Sequence, residues 1–383
     1  MKKKAIIAGH ICLDITPKFP EGKQSDLSQI FLPGKLLQMG EADIHTGGAV
    51  ANTGLAMKLL GAEVLLMGKI GRDAFGDIVC GMLRRYGAAD GMICLEQEST
   101  SYSVVLAVPG SDRIFLHNPG ANDTFCADDI SEDALREAAL FHFGYPPLMR
   151  RIYEKNGAEL VKLFRRAKAV GCATSLDMAF PDADSPAGQA DWQMILRQVL
   201  PFVDFFVPSA EELCYMLDRP RFIQWQERAG GRDITEILDV DRDIRPLADM
   251  CMACGAKVLL IKCGASGMYY RTADEKRLSG IGSRVELDTA AWREKAGFER
   301  SYVPERILSG TGAGDTSIAA FLTAMLAGEH PEQCMHMAAA AGASCVAGYD
   351  ALSGLKSYEE LKCRIAAGWR KIEIQPGNNR VKS

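Results

Sequence analysis

Nowhere does the sequence approach the roughly 20 consecutive apolar residues that a membrane-spanning helix needs, which argues against a spanning helix. Basic clusters are equally scarce. Lys2-Lys3-Lys4 is the longest basic run, and the 44 basic residues in all stand against 49 acidic ones for a net charge of -5, so the concentrated positive face of a nucleic-acid binder is missing. The apolar run Ala5-Ile6-Ile7-Ala8 is too short for a signal peptide, and Asp14 soon follows it. It reads as a first β-strand, and a cytoplasmic location is expected. Zinc-type spacing is lacking too: of 12 cysteines, only Cys251 and Cys254 form a Cys-x-x-Cys pair, with no second pair and no nearby histidine. Buried free thiols are the expectation, with a helix facing both members of that pair inward. No internal repeat or low-complexity tract is present. What remains is an ordinary globular composition, 48% hydrophobic and 24% charged over 383 residues, enough chain for a large core.

Short β-type runs alternate with longer helical ones, the pattern of a mainly parallel sheet covered by helices. Ala5-Ala8, Glu63-Met67, Leu140-Phe143, Thr174-Leu176, Asp204-Val207 and Val258-Ile261 are the strand candidates. Helices are expected over about 49–60 and 159–170, each stopped by a glycine, Gly61 and Gly171. Two segments break the rhythm. In the second, Tyr102-Val108 and Arg113-His117 flank Pro109-Gly110-Ser111-Asp112, a hairpin signal rather than a βαβ unit. We therefore expect a main α/β domain from residues 1-14, 46-97 and 121-375, and a small β lid from 15-45 and 98-120. Stretches 219-243 and 280-301 are charged, lack periodicity and read as surface insertions, while 376-383 reads as a polar tail.

The densest signal is Ser309-Gly310-Thr311-Gly312-Ala313-Gly314-Asp315, followed by the small and apolar Ala319, Ala320, Phe321 and Leu322. Glycines crowded before a helix let backbone N–H groups converge on an anion at the positive helix end. Asp315, at or just inside that helix start, is placed to take a proton from a hydroxyl lying against the same cradle. The alternative is structural: aspartate is also a common helix N-cap. No Lys-Ser or Lys-Thr follows the glycines, so the segment is not a Walker A loop. A dinucleotide fingerprint would sit in a first βα turn instead.

Near the N-terminus, Gly47-Gly48 precede Asn52, with Gly61 and Gly71 further on, in a loop, helix, strand, loop order. Taken alone, the glycine pair is a turn into a helix. Gly312-Ala313-Gly314-Asp315 with its tail, and Gly47-Gly48 with Asn52, resemble the two signatures of the PfkB carbohydrate kinase family of the ribokinase-like superfamily. Ser309-Gly310 stand where that family usually has Asp-Thr, and Val50 and Gly54 replace the small residues usual around Asn52. The resemblance implies a three-layer α/β/α ribokinase-like domain with a mainly parallel central sheet and a β lid over the substrate.

It also implies roles residue by residue. Gly47 and Gly48 would let the backbone approach a sugar, Asn52 would hydrogen-bond its hydroxyls, and Asp14, at the end of the first strand, would grip two of them; a solvated strand end is the bland reading. Lys262-Cys263-Gly264-Ala265-Ser266-Gly267 resembles the Lys-x-Gly-x-x-Gly turn beside the nucleotide, Gly264 and Gly267 allowing close contact, with Thr311 alongside; a plain hairpin turn would look the same. Ser209 to Glu212 resembles the family's Asn-x-x-Glu, in which the Glu organises Mg²⁺, though Ser209 with Glu212 is equally a helix capping box. Asp177 is a further candidate at the carboxyl edge of the sheet, or a turn residue. The cofactors implied are ATP and Mg²⁺, with a monovalent cation such as K⁺ a family habit. In the implied reaction Asp315 activates a hydroxyl while Gly312, Ala313 and Gly314 form the anion hole. Ala49 stands where phosphosugar kinases and ribokinases often carry lysine, so the acceptor expected is a small sugar or sugar acid, with Arg113 on the lid to meet a carboxylate. A nucleoside kinase of the same fold is the alternative, and a non-catalytic sugar-binding regulator a further one. Partners beyond the small-molecule substrate reduce to a homodimer through the lid.

Overall fold

The computed structural model describes residues 3–20, 32–108 and 114–373. Its strands are β1 (Lys4–Gly9), β2 (Cys12–Pro17), β3 (Ala42–Gly47), β4 (Glu63–Met67), β5 (Lys69–Gly71), β6 (Ile93–Leu95), β7 (Tyr102–Leu106), β8 (Ile114–Asn118), β9 (Leu140–Gly144), β10 (Ala173–Leu176), β11 (Phe205–Phe206), β12 (Val258–Lys262), β13 (Gly267–Thr272) and β14 (Ala296–Arg300). Eight of them form the central sheet in the order β14-β13-β12-β11-β10-β9-β1-β4. From β12 to β4 the neighbours are parallel, and β13 and β14 continue antiparallel. Parallel strands covered on both faces need unbroken apolar runs, and β9 and β10 are buried at every position. The helices complete a three-layer α/β/α arrangement.

Helices Ala313–Leu326 and Pro331–Cys345 pack closely because Ala319, Ala320 and Ala338 to Ala341 present little bulk where they are buried. Helix Ala49–Leu59 ends before Gly61 as expected. The expected helix before Gly171 is the second part of Arg150–Ala169, whose first turn is separated by a break at Glu154 to Gly157. No helix among the described residues is long and apolar enough to cross a membrane.

A second sheet, β3-β2-β7-β8, stands apart from the first. β7 and β8 pair antiparallel, as the turn between them predicts, although that turn and Arg113 lie outside the described residues. So does the stretch 376-383. Asp14 requires a correction. The first strand ends at Gly9, and Asp14 belongs to β2, inside the small sheet, because the chain turns at His10 and re-enters extended structure at Cys12.

The two supposed surface insertions also need correcting. Residues 219–243 contain helix Arg219–Ala229, which buries Phe222 and Trp225, and Trp225 Nε1 donates to Asp243 at 3.1 Å. Residues 280–301 supply buried Trp292 and the edge strand β14. Helix Arg219–Ala229 is as long as Ala49–Leu59 but rich in charge, and the elements within 280–301 have at most five residues, so in both stretches the buried positions are hard to see among charged ones. All twelve cysteines are free; Cys251 is buried, but Cys254 lies just past its helix and is only half-buried. Among the described residues no group of three or more His, Cys, Asp or Glu is arranged to hold a metal ion by itself.

Candidate active site

Strand register decides what meets at the carboxyl edge of the central sheet, where open α/β folds bind ligands. Gly9 pairs with Gly144 and Phe143 with Leu176, so the residues that follow, His10, Tyr145 and Asp177, emerge at one edge. Ser209 bridges to Lys262 at the same edge. A cleft of about 1360 Å³ opens there, walled by Glu212, Lys262, Gly264, Gly267 and the run Gly312 to Asp315, with Phe115 of β8 on its margin.

Helix Ala313–Leu326 has Gly312 as its N-cap, at φ 75, a left-handed conformation that favours glycine. Any Cβ there would also strike Ala351. Gly312 carries no side chain to cap the helix, so the first turn at the cleft wall has no side-chain acceptor, and the Ala313 N–H donates to the Gly310 carbonyl at 3.3 Å. Asp315 is the third helical residue and not the cap. Its carboxylate, 5% exposed, accepts three hydrogen bonds from two other parts of the chain: from Asn52 Nδ2 (3.0 Å) and Thr53 Oγ1 (3.2 Å) of helix Ala49–Leu59, and from Tyr145 Oη (2.7 Å).

Tyr145 and Thr53 were not legible in the sequence. Tyr145 adopts φ 68, a left-handed geometry rare outside glycine. It precedes Pro146, and the residue before a proline is disfavoured in the right-handed helical region; Tyr-Pro-Pro directly after a strand was the one available signal. Burial pushes its phenol well above the ordinary value of 10, and the charge of Asp315 adds to this, so Tyr145 remains a donor.

On the other side of the cradle, Lys262 Nζ lies 2.7 Å from Asp177 Oδ1. A Cβ on Gly314 would stand 3.7 Å from that amine. Burial raises the Asp177 carboxyl to about 7, opposed by Lys262 and reinforced by Glu212 and Asp315. Burial pulls the Lys262 amine down, but Asp177, Glu212 and Asp315 outweigh it and hold it above its ordinary value. The cleft thus contains a fixed positive charge beside a helix N-terminus.

Ser209 and Glu212 form the capping box that was the structural alternative: the Ser209 N–H donates to Glu212 Oε2 (2.7 Å) and the Glu212 N–H to Ser209 Oγ (3.3 Å). Glu212 nonetheless faces the cleft. Gly264 sits at φ 57 against the Thr235 side chain, so the segment once read as an insertion builds part of the wall. Thr311 engages its backbone within its own loop, its N–H donating to Ser309 Oγ at 3.1 Å and its carbonyl accepting from Cys345 Sγ at 3.6 Å.

The remaining candidates lie where the small sheet meets the main one. Gly47 pairs with Cys12, and a Cβ on it would collide with the Asp14 carboxylate. Cys12 Sγ donates to Asp14 Oδ1 at 3.3 Å. Burial raises the Asp14 carboxyl, while hydrogen bonds from Cys12 and Ser103 work against that. Gly48, at φ 87, backs onto His10.

Residues 11–356 match the model of the pfkB family of carbohydrate kinases. The chain belongs to that family. As a member of the pfkB family of carbohydrate kinases it is a phosphotransferase. An uncharacterized sugar kinase of Archaeoglobus fulgidus is 24% identical over 79% of this chain and 98% of its own length. Ribokinase of Arabidopsis thaliana is 24% identical over 82% of this chain and 70% of its own. Among solved structures, fructokinase with bound ATP from Xylella fastidiosa superposes with a TM-score of 0.69 at 19% identity, covering 96% of this chain and 99% of that one. At such identity the superposition establishes the fold.

Proposed function

We propose that this pfkB-family kinase transfers the γ-phosphoryl group of ATP to a hydroxyl of a small sugar, with Asp315 as the general base. The observation that carries the reading is the placement of Asp315. Its carboxylate is third in a helix whose cap is a glycine, it is freed from capping, and Asn52, Thr53 and Tyr145 hold it at the mouth of the cleft. A carboxylate oriented by three donors can accept the proton of an incoming hydroxyl with little reorganisation.

The donor set fits Mg·ATP. The glycine-capped helix start at Gly312 to Gly314, which carries no side-chain cap, and the Lys262 amine suit phosphate oxygens. Glu212 is the carboxylate that would hold Mg²⁺, which takes most of its oxygens from phosphates and water and needs no protein cage. Bound Mg·ATP supplies the transferable phosphoryl group. The chain's part is to orient the hydroxyl at Asp315, stabilise charge at the Gly312-Ala313-Gly314 amides and Lys262, and exclude water as the small sheet covers the acceptor.

ATP turnover measured over D-ribose, D-fructose and adenosine tests the reading and separates sugar from nucleoside. Asp315→Asn should abolish phosphorylated product while leaving ATP binding in place. Near-normal turnover by that variant removes Asp315 as the base. Tight sugar binding without product in the wild type would make the protein a sugar-binding regulator instead.

A further inference from the structure

His10 stands where the chain leaves β1 and turns into the small sheet. Its backbone is fixed on both sides: the N–H donates to the Gly144 carbonyl (3.2 Å), and the carbonyl accepts from the Val50 N–H (3.1 Å). The ring is different. It is 2% exposed, and among the described residues neither Nδ1 nor Nε2 has a hydrogen-bond partner. Buried polar groups are almost always satisfied, so an orphaned imidazole calls for an explanation.

The neighbours indicate what satisfies it. Ring centroids of His117 and Tyr145 lie 5.3 Å and 6.0 Å away, and a Cβ on Gly48 would come within 2.6 Å of Nδ1. Tyr145 leads to Asp315. In the other direction, His117 Nδ1 bonds Ser103 Oγ at 3.0 Å, and Ser103 stands opposite Asp14 in the β2–β7 register. His10 thus belongs to a continuous polar wall that runs from Asp315 to Asp14. Burial, with a smaller contribution from His117, pushes the imidazole down to about 3, so at neutral pH one ring nitrogen donates and the other accepts. Such a ring pairs naturally with a hydroxyl, which also does both. With two carboxyl groups in the same wall and no charge on the imidazole, His10 offers nothing to balance an anionic acceptor.

We propose that His10 is an acceptor-specificity residue, hydrogen-bonding a hydroxyl of an uncharged polyol other than the one phosphorylated. The inference rests on the kinase reading with Asp315 at the reacting hydroxyl. Because none of the described residues bonds the ring, His10→Phe keeps its approximate shape and sacrifices no hydrogen bond to them, while His10→Asn restores a donor and an acceptor.

The test takes the best acceptor among D-ribose, D-fructose and adenosine, together with its single-deoxy analogues. His10→Phe should lose about 10- to 100-fold in kcat/KM on the parent acceptor. On one deoxy analogue the variant and the wild type should be equal, the KM for ATP should hold, and His10→Asn should recover part of the loss. Unchanged kinetics in His10→Phe, or the same loss on every analogue, overturns the proposal. Acceptor binding measured by calorimetry in the Asp315→Asn background reads the His10 contribution without turnover, so failure of the base assignment and failure of the His10 assignment give different results.

Discussion

Replacing Gly314 by alanine separates an anion cradle from a merely structural glycine. The position is helical, and the nearest atoms that a Cβ built on it would meet beyond its own helix are those of Lys262, Cδ at 3.5 Å and Nζ at 3.7 Å, which is ordinary van der Waals contact. On structural grounds alone, alanine there should stabilise by about 0.5–1 kcal/mol through lower chain entropy, or about 1–2 °C in Tm for a chain of this size. Functionally the methyl group enters the space between the Lys262 amine and the first-turn N–H groups. The backbone N–H is kept, but a methyl group there holds a phosphate oxygen off it, and forfeiting the contact of one such preorganised donor costs about 100- to 1,000-fold in rate. Initial rates of ADP release at varied ATP, paired with thermal melting, read both quantities. The expected result is a protein at least as stable as the wild type whose kcat/KM for ATP has collapsed. Wild-type kinetics would refute the cradle, and a clear loss of stability would refute the steric reasoning. Gly312→Ala is the contrasting control: its φ of 75 and the collision with Ala351 predict a folding defect.

Tyr145→Phe keeps the strained backbone and removes only the hydroxyl that donates to Asp315 at 2.7 Å. A hydrogen bond to a charged group contributes about 1.5–3 kcal/mol, so urea unfolding should show a loss of that order, and kcat should fall while the KM for ATP holds. Glu211 tests the electrostatics of the cleft wall. Burial, with Asp233 and Glu212 adding to it, raises its carboxyl from 4.5 to about 7. Between those values the folded state binds more protons than the unfolded state, so this group lowers stability as pH rises through that window. Glu211→Gln, fixed in the neutral form, should therefore gain in Tm over the wild type as pH goes from 5 to 8; a pH-independent difference would contradict the buried assignment.

Much of the fold was legible because parallel strands have to be apolar throughout. Leu140-Phe143 and Val258-Ile261 stood out as runs and became β9 and β12, the interior strands that flank the central pair β10 and β11. The glycines around Asp315 were legible for a related reason: a left-handed residue such as Gly312 leaves a compositional mark. Strongly charged helices and short elements leave none. The sequence therefore read 219-243 as an insertion, although Thr235 reaches the cleft, and 280-301 likewise, although β14 completes the sheet edge. Asp14 was tied to the first strand because nothing in Gly9-His10-Ile11 announces that the chain changes sheets there.

From the sequence alone came the layered α/β architecture, the glycine-rich helix start and the nomination of Asp315, since hydrophobic period and glycine placement are local properties of the chain. Tertiary structure alone decided which groups hold that carboxylate. Asn52, Thr53 and Tyr145 come from distant stretches, and strand register brings them within hydrogen-bonding distance of it. The same holds for Lys262 beside Asp177 and for the unpaired ring of His10. Such pairings depend on which strand lies next to which, a property of the assembled sheet that no single segment encodes.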